Sequence, residues 1–494
     1  MIKIDGNNLR LDDVHNVARN FEKVDLDISA KNKIIESRNT IEKILSSGKT
    51  VYGINTGFGA LVNVKISEKE LYELQKNIVL SHSAGIGDPL DEDIVRAMML
   101  LRANSLAKGF SGVRVEVIEK LLEFLNKKVY PYVPEKGSVG ASGDLAPLSH
   151  IAMALIGEGY VIYNGKKEPT KKVLSELNIN PIKLKEKEGL SLLNGTQYIT
   201  SILALTIRDS IKLLDIATLI AAASVDVLLG TPAAFDERLQ KARNHDGQIY
   251  IASLLRNYLN GSQIRESHKN CNKVQDAYTL RAIPQVYGAV YDTLIYAKKV
   301  AENEINAATD NPLVFDNDVI SGGNFHGEPV ALVSDFLAIA LTDLGNMIER
   351  RIDRLVNPLI NQKLPPFLAS GKEGLNSGYM IWQYTAAAIC NENKILSHPA
   401  STDTIPTSAY QEDHVSMGAT SARKLRKIFF NIIDLVTIEA MLVKVALEFR
   451  KPLKSSKSIE EFFRKFDFIK INGDRYFGDD FENVKNIIIK EVLQ

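Results

Sequence analysis

Beyond about residue 190 the apolar residues of this chain recur at the spacing of helix turns. Ile283, Tyr287, Val290, Leu294 and Ala297 fall on one face, with Asp292, Lys298, Lys299 and Glu302 off it, which predicts a long amphipathic helix. Runs at about 196–230, 328–362, 376–397 and 412–449 behave in the same way. In the last of these, Ile432, Ile433, Leu435, Val436, Ile438, Met441, Leu442 and Val445 make the helix apolar almost all round. Such a helix belongs in the middle of a bundle. Strand-like alternation is confined to short pieces, Tyr160–Tyr163 and Val51–Tyr52. The pattern predicts a mainly α fold, a long central helix bundle with a smaller N-terminal α domain carrying the active-site loops. No fixed-period repeat, low-complexity tract or Pro/Gly/Ser-rich linker divides the chain. The boundaries expected are an N-terminal domain over 1–193, the bundle over 194–450 and a small C-terminal helical segment over 451–494.

Composition narrows the partners. The chain has 494 residues, 45% of them hydrophobic, and its 60 Lys and Arg balance 60 Asp and Glu, so no global field draws it to nucleic acid or acidic lipid. A small-molecule or protein partner is expected. Met1 to Val14 carries Lys3, Asp5, Arg10, Asp12 and Asp13 without a long apolar run, unlike a secretory signal. Ala217–Val225 and Ile438–Val445 are bounded by charge and too short to span a bilayer. A cytoplasmic protein with no membrane partner follows. Cys271 and Cys390 are too few for a disulfide framework. The eight histidines show no His-x-x-x-His spacing, so no bound metal is expected.

Glycine gathers in four polar loops, Tyr52–Gly59, Gly137–Gly143, Gly189–Gly195 and Ser321–Gly327, and such loops on a helical scaffold carry function. The sharpest is Lys136-Gly137-Ser138-Val139-Gly140-Ala141-Ser142-Gly143-Asp144-Leu145-Ala146-Pro147-Leu148. Three small residues in a row, glycine last, permit an unusual backbone reaction if the loop is bent tightly enough. The Gly143 nitrogen can attack the Ala141 carbonyl carbon, an approach that a Cβ would block. Loss of one water from that ring and another from the Ser142 side chain leaves 4-methylidene-imidazole-5-one (MIO), a carbon electrophile. Asp144 reads as the N-cap and Pro147 as a first-turn residue of a helix running to about Leu155, its positive end facing the ring. The bland alternative is a Gly-rich turn entering a helix, which is common. A serine hydrolase elbow would need glycine two residues after Ser142, where Asp144 stands.

Here the sequence resembles the aromatic amino acid ammonia-lyases and aminomutases, and among them the histidine-specific members. The matching motifs run from Tyr52-Gly53-Ile54-Asn55-Thr56-Gly57-Phe58-Gly59 through Leu80-Ser81-His82 and the Gly137–Leu148 segment to Leu193-Asn194-Gly195-Thr196-Gln197. They continue in Val274-Gln275-Asp276-Ala277-Tyr278-Thr279-Leu280-Arg281, Gly322-Gly323-Asn324-Phe325-His326 and Gln411-Glu412-Asp413-His414-Val415-Ser416-Met417. Ala277 departs from the Pro or Arg often found there, without shifting its neighbours. The resemblance implies an all-helical homotetramer whose active sites take residues from more than one subunit.

It also implies roles. The electrophile made from Ala141, Ser142 and Gly143 activates the substrate amine. Tyr52 removes the β-proton with Tyr278 close by, Arg281 clamps the carboxylate, and Asn194 and Gln275 position ring and carboxylate. Phe325 supports the electrophile. Ser81-His82 is the pair of the histidine-specific members, and Glu412 is a carboxylate that a phenyl ring would leave unpaired. The reaction so implied is L-histidine to trans-urocanate and ammonia, the first step of histidine degradation, without an external cofactor. The alternatives are a tyrosine or phenylalanine lyase, a 2,3-aminomutase, a serine hydrolase using Ser142, and a non-catalytic helical scaffold.

Overall fold

The helices follow the apolar periodicity. Ile283–Glu304 is a single helix on which Ile283, Tyr287, Val290, Leu294 and Ala297 are all buried. The other long runs become Gln197–Val227, Glu328–Val356, Met380–Leu396 and Gly418–Arg450. The last buries its apolar residues from Ile432 to Ala446, together with Thr437 and Glu439, as an all-round apolar helix must. Two ends differ from the sequence pattern. The helix expected to 362 stops at Val356, ahead of Asn357-Pro358, because the residue before a proline is disfavoured in helical geometry. The helix expected from 412 starts at Gly418, after an irregular segment in which Thr407 and Glu412 pair as an isolated bridge.

The structure is a computed structural model and describes residues 1–494 apart from 48–50, 52, 54–55, 57–65, 67–69, 272, 317 and 373. These residues form two compact units, each assembled from separate stretches of chain. One comprises Met1–Leu205, Lys298–Asp335 and Pro399–Arg423; the other comprises Thr206–Ala297, Phe336–His398 and Lys424–Gln494. The grouping differs from the consecutive segments 1–193, 194–450 and 451–494. Its dividing points fall inside the helices Gln197–Val227, Ile283–Glu304, Glu328–Val356 and Gly418–Arg450, so each of these four contributes one end to each unit, while Met380–Leu396 lies wholly in the second.

In the first unit the central element is helix Glu92–Ala107, buried at every position from Ile94 to Ala107. Short pairings surround it: Ile2–Ile4 runs parallel to Val24–Leu26, and Tyr160–Tyr163 pairs antiparallel with Tyr130–Pro131 and Lys166–Pro169. Ile86–Pro89 pairs with Pro134–Lys136, which delivers the chain into the Gly137–Gly143 loop. Of the expected strand-like pieces, Tyr160–Tyr163 is a strand, Val51 is not in one, and Tyr52 lies outside the described residues.

In the second unit Arg351 and Glu439, both fully buried, face each other at 2.6 Å, and Arg351 also donates to the Tyr287 hydroxyl. The chain's last stretch packs here: Ser455 Oγ donates to Asp226 at 2.5 Å and Ser456 Oγ to the Tyr258 carbonyl. One helix among the described residues, Glu328–Val356, is long and apolar enough to cross a bilayer, a longer stretch than the two singled out from sequence. Buried residues make up 61% of its apolar window.

Candidate active site

The Ala141-Ser142-Gly143 loop is held from several sides of the first unit. Gly140 and Gly143 adopt φ of +70° and +74°, where only glycine is free of strain. A Cβ on Gly143 would stand 2.2 Å from the Gly195 carbonyl oxygen, and one on Gly140 2.1 Å from Ser416 Oγ. Gly143 pairs with Gly195 as an isolated bridge, the Asp144 N–H donates to the Gly195 carbonyl at 2.7 Å, and Asn194 Nδ2 donates to the Ser142 carbonyl at 3.1 Å. From the other side the Met417 N–H donates to the Val139 carbonyl at 2.9 Å.

Asp144 corrects one expectation. It opens helix Leu145–Leu155, but its carboxylate does not cap that helix. Its Oδ2 accepts instead from the N–H groups of Tyr198 and Ile199, each at 3.0 Å, and its Oδ1 from Ser138 Oγ at 2.7 Å. The carboxylate thus caps the first turn of Gln197–Val227, satisfying two donors that a helix start leaves open. Burial pushes this carboxyl up to about 7, against the pull of those three donors.

Ser142 faces a pocket of about 470 Å³ lined by Ala141, Asn194, Asn311, Phe325, His326 and Glu412, among others, a size suited to a small-molecule ligand. Ser142 Oγ donates to Glu412 Oε1 at 2.8 Å, and Thr407 Oγ1 fixes the other oxygen, Oε2, at 2.6 Å. A serine bonded to a carboxylate, not to an imidazole, is not the nucleophile–base pair of a hydrolase. His82 ends helix Leu71–His82 half-buried, its Nδ1 3.1 Å from Ser81 Oγ. Burial lowers its pKa, with the Ile78 backbone and the Glu412 carboxylate pulling the other way. Among the described residues the buried Asn194 Oδ1 atom finds no hydrogen-bond partner, which leaves an acceptor at the pocket wall.

The structure therefore brings Ala141, Ser142, Gly143, Asn194, Phe325 and Glu412 together, with His82 within the field of Glu412. Gln275, Tyr278 and Arg281 belong to the second unit. There Tyr278–Arg281 is a single helical turn, and the Arg281 guanidinium lies 4.7 Å over the Tyr278 ring. Gln275 is exposed, and Tyr278 is 72% exposed. Tyr52 falls outside the described residues.

Sequence reasoning missed three features. Thr407, which orients Glu412, carried no signal. Arg102, fully buried beneath Gly195, was detectable only as a charge inside the apolar run Met98–Ala107. His326, Glu328 and His414 gather their donor atoms within 4.8 Å of one another, although no spacing linked the two histidines. The Glu328 N–H donates to His326 Nδ1 at 3.2 Å, which places the proton of a neutral ring on Nε2. That nitrogen faces the His414 carbonyl at 3.3 Å and His414 Nδ1 at 3.4 Å, so a neutral ring acts there as a donor.

Comparison with known proteins places this geometry. The family model described as aromatic amino acid lyase matches residues 9–467. A histidine ammonia-lyase of Caldanaerobacter subterraneus subsp. tengcongensis is 51% identical over 465 residues, covering 94% of this chain and 91% of that protein. The crystal structure of histidine ammonia-lyase from Trypanosoma cruzi superposes with a TM-score of 0.91 at 39% identity, covering 99% of this chain and 94% of that one. Tyrosine aminomutase from Streptomyces globisporus gives 0.94 at 36% identity, covering 100% and 97%. The fold is thus common to lyase and mutase, and substrate choice has to come from individual side chains.

Proposed function

Because the chain belongs to the aromatic amino acid lyase family, we propose that it is a histidine ammonia-lyase converting L-histidine to trans-urocanate and ammonia, with MIO made from its own Ala141-Ser142-Gly143 as cofactor. That group, once formed, supplies a carbon electrophile for the substrate amine. The loop fits it: Gly143 sits at positive φ where no Cβ has room, and Ser142 stands at the pocket.

The observation that carries the choice of histidine is Glu412, whose Oε1 is held by the Ser142 hydroxyl and Oε2 by Thr407. Departure of the Ser142 hydroxyl as water leaves Oε1 without its donor. An imidazole N–H replaces that donor, whereas a phenyl ring leaves the carboxylate unpaired. Sites built on such a partner reject the apolar analogue by roughly four to five decades. His82 adds a second polar group near the same carboxylate. Asn194 holds the Ser142 carbonyl, and Phe325 walls the pocket.

Tyr52 is assigned as the base and Tyr278 as its hydrogen-bonding companion. Arg281 and Gln275 take the substrate carboxylate, the guanidinium through its planar fork. The exposure of Gln275 and Tyr278 in the single chain accords with active sites shared between subunits of a homotetramer. A stripe of exposed apolar residues at helical spacing, Leu332, Phe336 and Ile339, offers a surface for that association. The free thiols of Cys271 and Cys390 accord with the reducing cytoplasm.

The test follows urocanate absorbance after mixing the purified protein with L-histidine, L-tyrosine or L-phenylalanine, with Ser142→Ala as control. A signal with histidine alone, lost in the variant, is expected. Product from tyrosine or phenylalanine instead would overturn the reading of Glu412, and a β-amino acid product would identify a mutase.

A further inference from the structure

Arg102 is a positioning residue for ring closure: we propose that its buried guanidinium braces the Asn194–Gly195 strap against which Ala141-Ser142-Gly143 cyclises. The inference rests on the self-processing read above. The strap grips the loop through Asn194 Nδ2, which donates to the Ser142 carbonyl, and through the Gly143–Gly195 bridge, in which the Gly195 carbonyl accepts from the Asp144 N–H.

Arg102 lies directly behind that strap. Its Nη1 donates to the Asn194 carbonyl at 2.7 Å and to Gln197 Oε1 at 2.9 Å, with the Thr309 carbonyl at 3.4 Å. A Cβ on Gly195 would stand 2.3 Å from Nη1, so glycine is what lets the cation approach so closely. Gln197 is itself tied by Nε2 to Thr309 Oγ1 at 2.7 Å.

The cation is kept in place at some electrostatic expense. It is fully buried, its Nε and Nη2 find no acceptor among the described residues, and burial lowers its pKa to about 10 despite nearby Asp310. Asp310 is already engaged by Lys187 at 2.9 Å, and Lys187 also donates to Ser191 Oγ at 2.8 Å. Here two cations share one carboxylate, and the cation less directly paired is the one touching the strap.

The closure joins the Gly143 nitrogen to the Ala141 carbonyl carbon. The carbonyl oxygen leaves as one water with the amide protons of Gly143 and Ser142. Ser142 Oγ leaves as a second water with its own proton and the Cα proton. Ring closure of this kind depends on near-contact geometry, and a displacement of about 1 Å slows such a reaction roughly a hundredfold.

Intact-mass analysis of freshly purified protein, with circular dichroism as a fold control, tests the role without an activity assay. Wild type is expected to be lighter than its sequence by two waters. Arg102→Met is expected to fold and retain both waters in most chains, and Arg102→Lys, whose ammonium can reach one acceptor, to process partially. Lys187→Met removes the other buried cation but no bond to the strap, and is expected to process fully. Complete processing of Arg102→Met overturns the proposal. So does equal failure of Lys187→Met, or loss of folding in both Arg102 variants, which would make the residue purely structural. If wild type keeps both waters, the self-processing reading falls instead.

Discussion

Replacing Glu412 by glutamine separates substrate recognition from the rest of the machinery. The amide keeps the shape of the carboxylate but removes its charge. On the proposed function, ring closure removes the Ser142 donor that now stands at 2.8 Å, and the substrate imidazole takes its place at Oε1. A hydrogen bond to a charged group contributes about 1.5–3 kcal/mol, which at about 1.4 kcal/mol per decade predicts a roughly 10- to 100-fold fall in kcat/KM for L-histidine. L-Phenylalanine makes no such bond, so its competitive inhibition constant should be unchanged or lower. Initial rates of urocanate formation, with and without L-phenylalanine, read both numbers on protein whose processing has been confirmed by mass. An unchanged kcat/KM for histidine, or an equal weakening of both ligands, would refute the assignment of Glu412 to the ring.

Four further outcomes follow from the same geometry. Gly143→Ala places a methyl 2.2 Å from the Gly195 carbonyl at a φ of +74°, so its purified chain should keep the mass of both waters. Tyr52→Phe should process normally yet lose most turnover, and near-normal rates would remove Tyr52 from the role of base. Burial raises Asp144 from an ordinary 3.8 to about 7; its stabilising contribution is therefore full below about pH 4 and lost as pH rises through about 7. Asp144→Asn cannot titrate, so its urea midpoints at pH 5 and pH 8 should differ less than those of wild type. Glu439→Leu strands the fully buried Arg351 and should cost about 3–5 kcal/mol in urea unfolding, with recovery in the Arg351→Met/Glu439→Leu pair.

What the sequence determined by itself was local and periodic. Ile283, Tyr287, Val290, Leu294 and Ala297 had to share a buried face because 3.6 residues make a turn. The span from Ile432 to Ala446 had to be buried because it is apolar almost all round. Ala141-Ser142-Gly143 stood out locally because a backbone that closes on itself requires small residues ending in glycine.

Tertiary structure decided what depends on distance through space. Asp144 looked like the cap of the helix that it opens, yet it caps Gln197–Val227, because the loop–strap bridge at Gly195 carries it to those free N–H groups. Glu412 meets Ser142 across 270 positions of chain, and no periodicity encodes that meeting. His326 and His414, 88 positions apart in the chain, approach only on folding. The three expected segments became two units because long helices pass through both, so contacts are shared by helix ends and not by consecutive residues. Arg102, which the sequence did not single out, comes up behind the loop because Gly195 has no side chain to keep its guanidinium away.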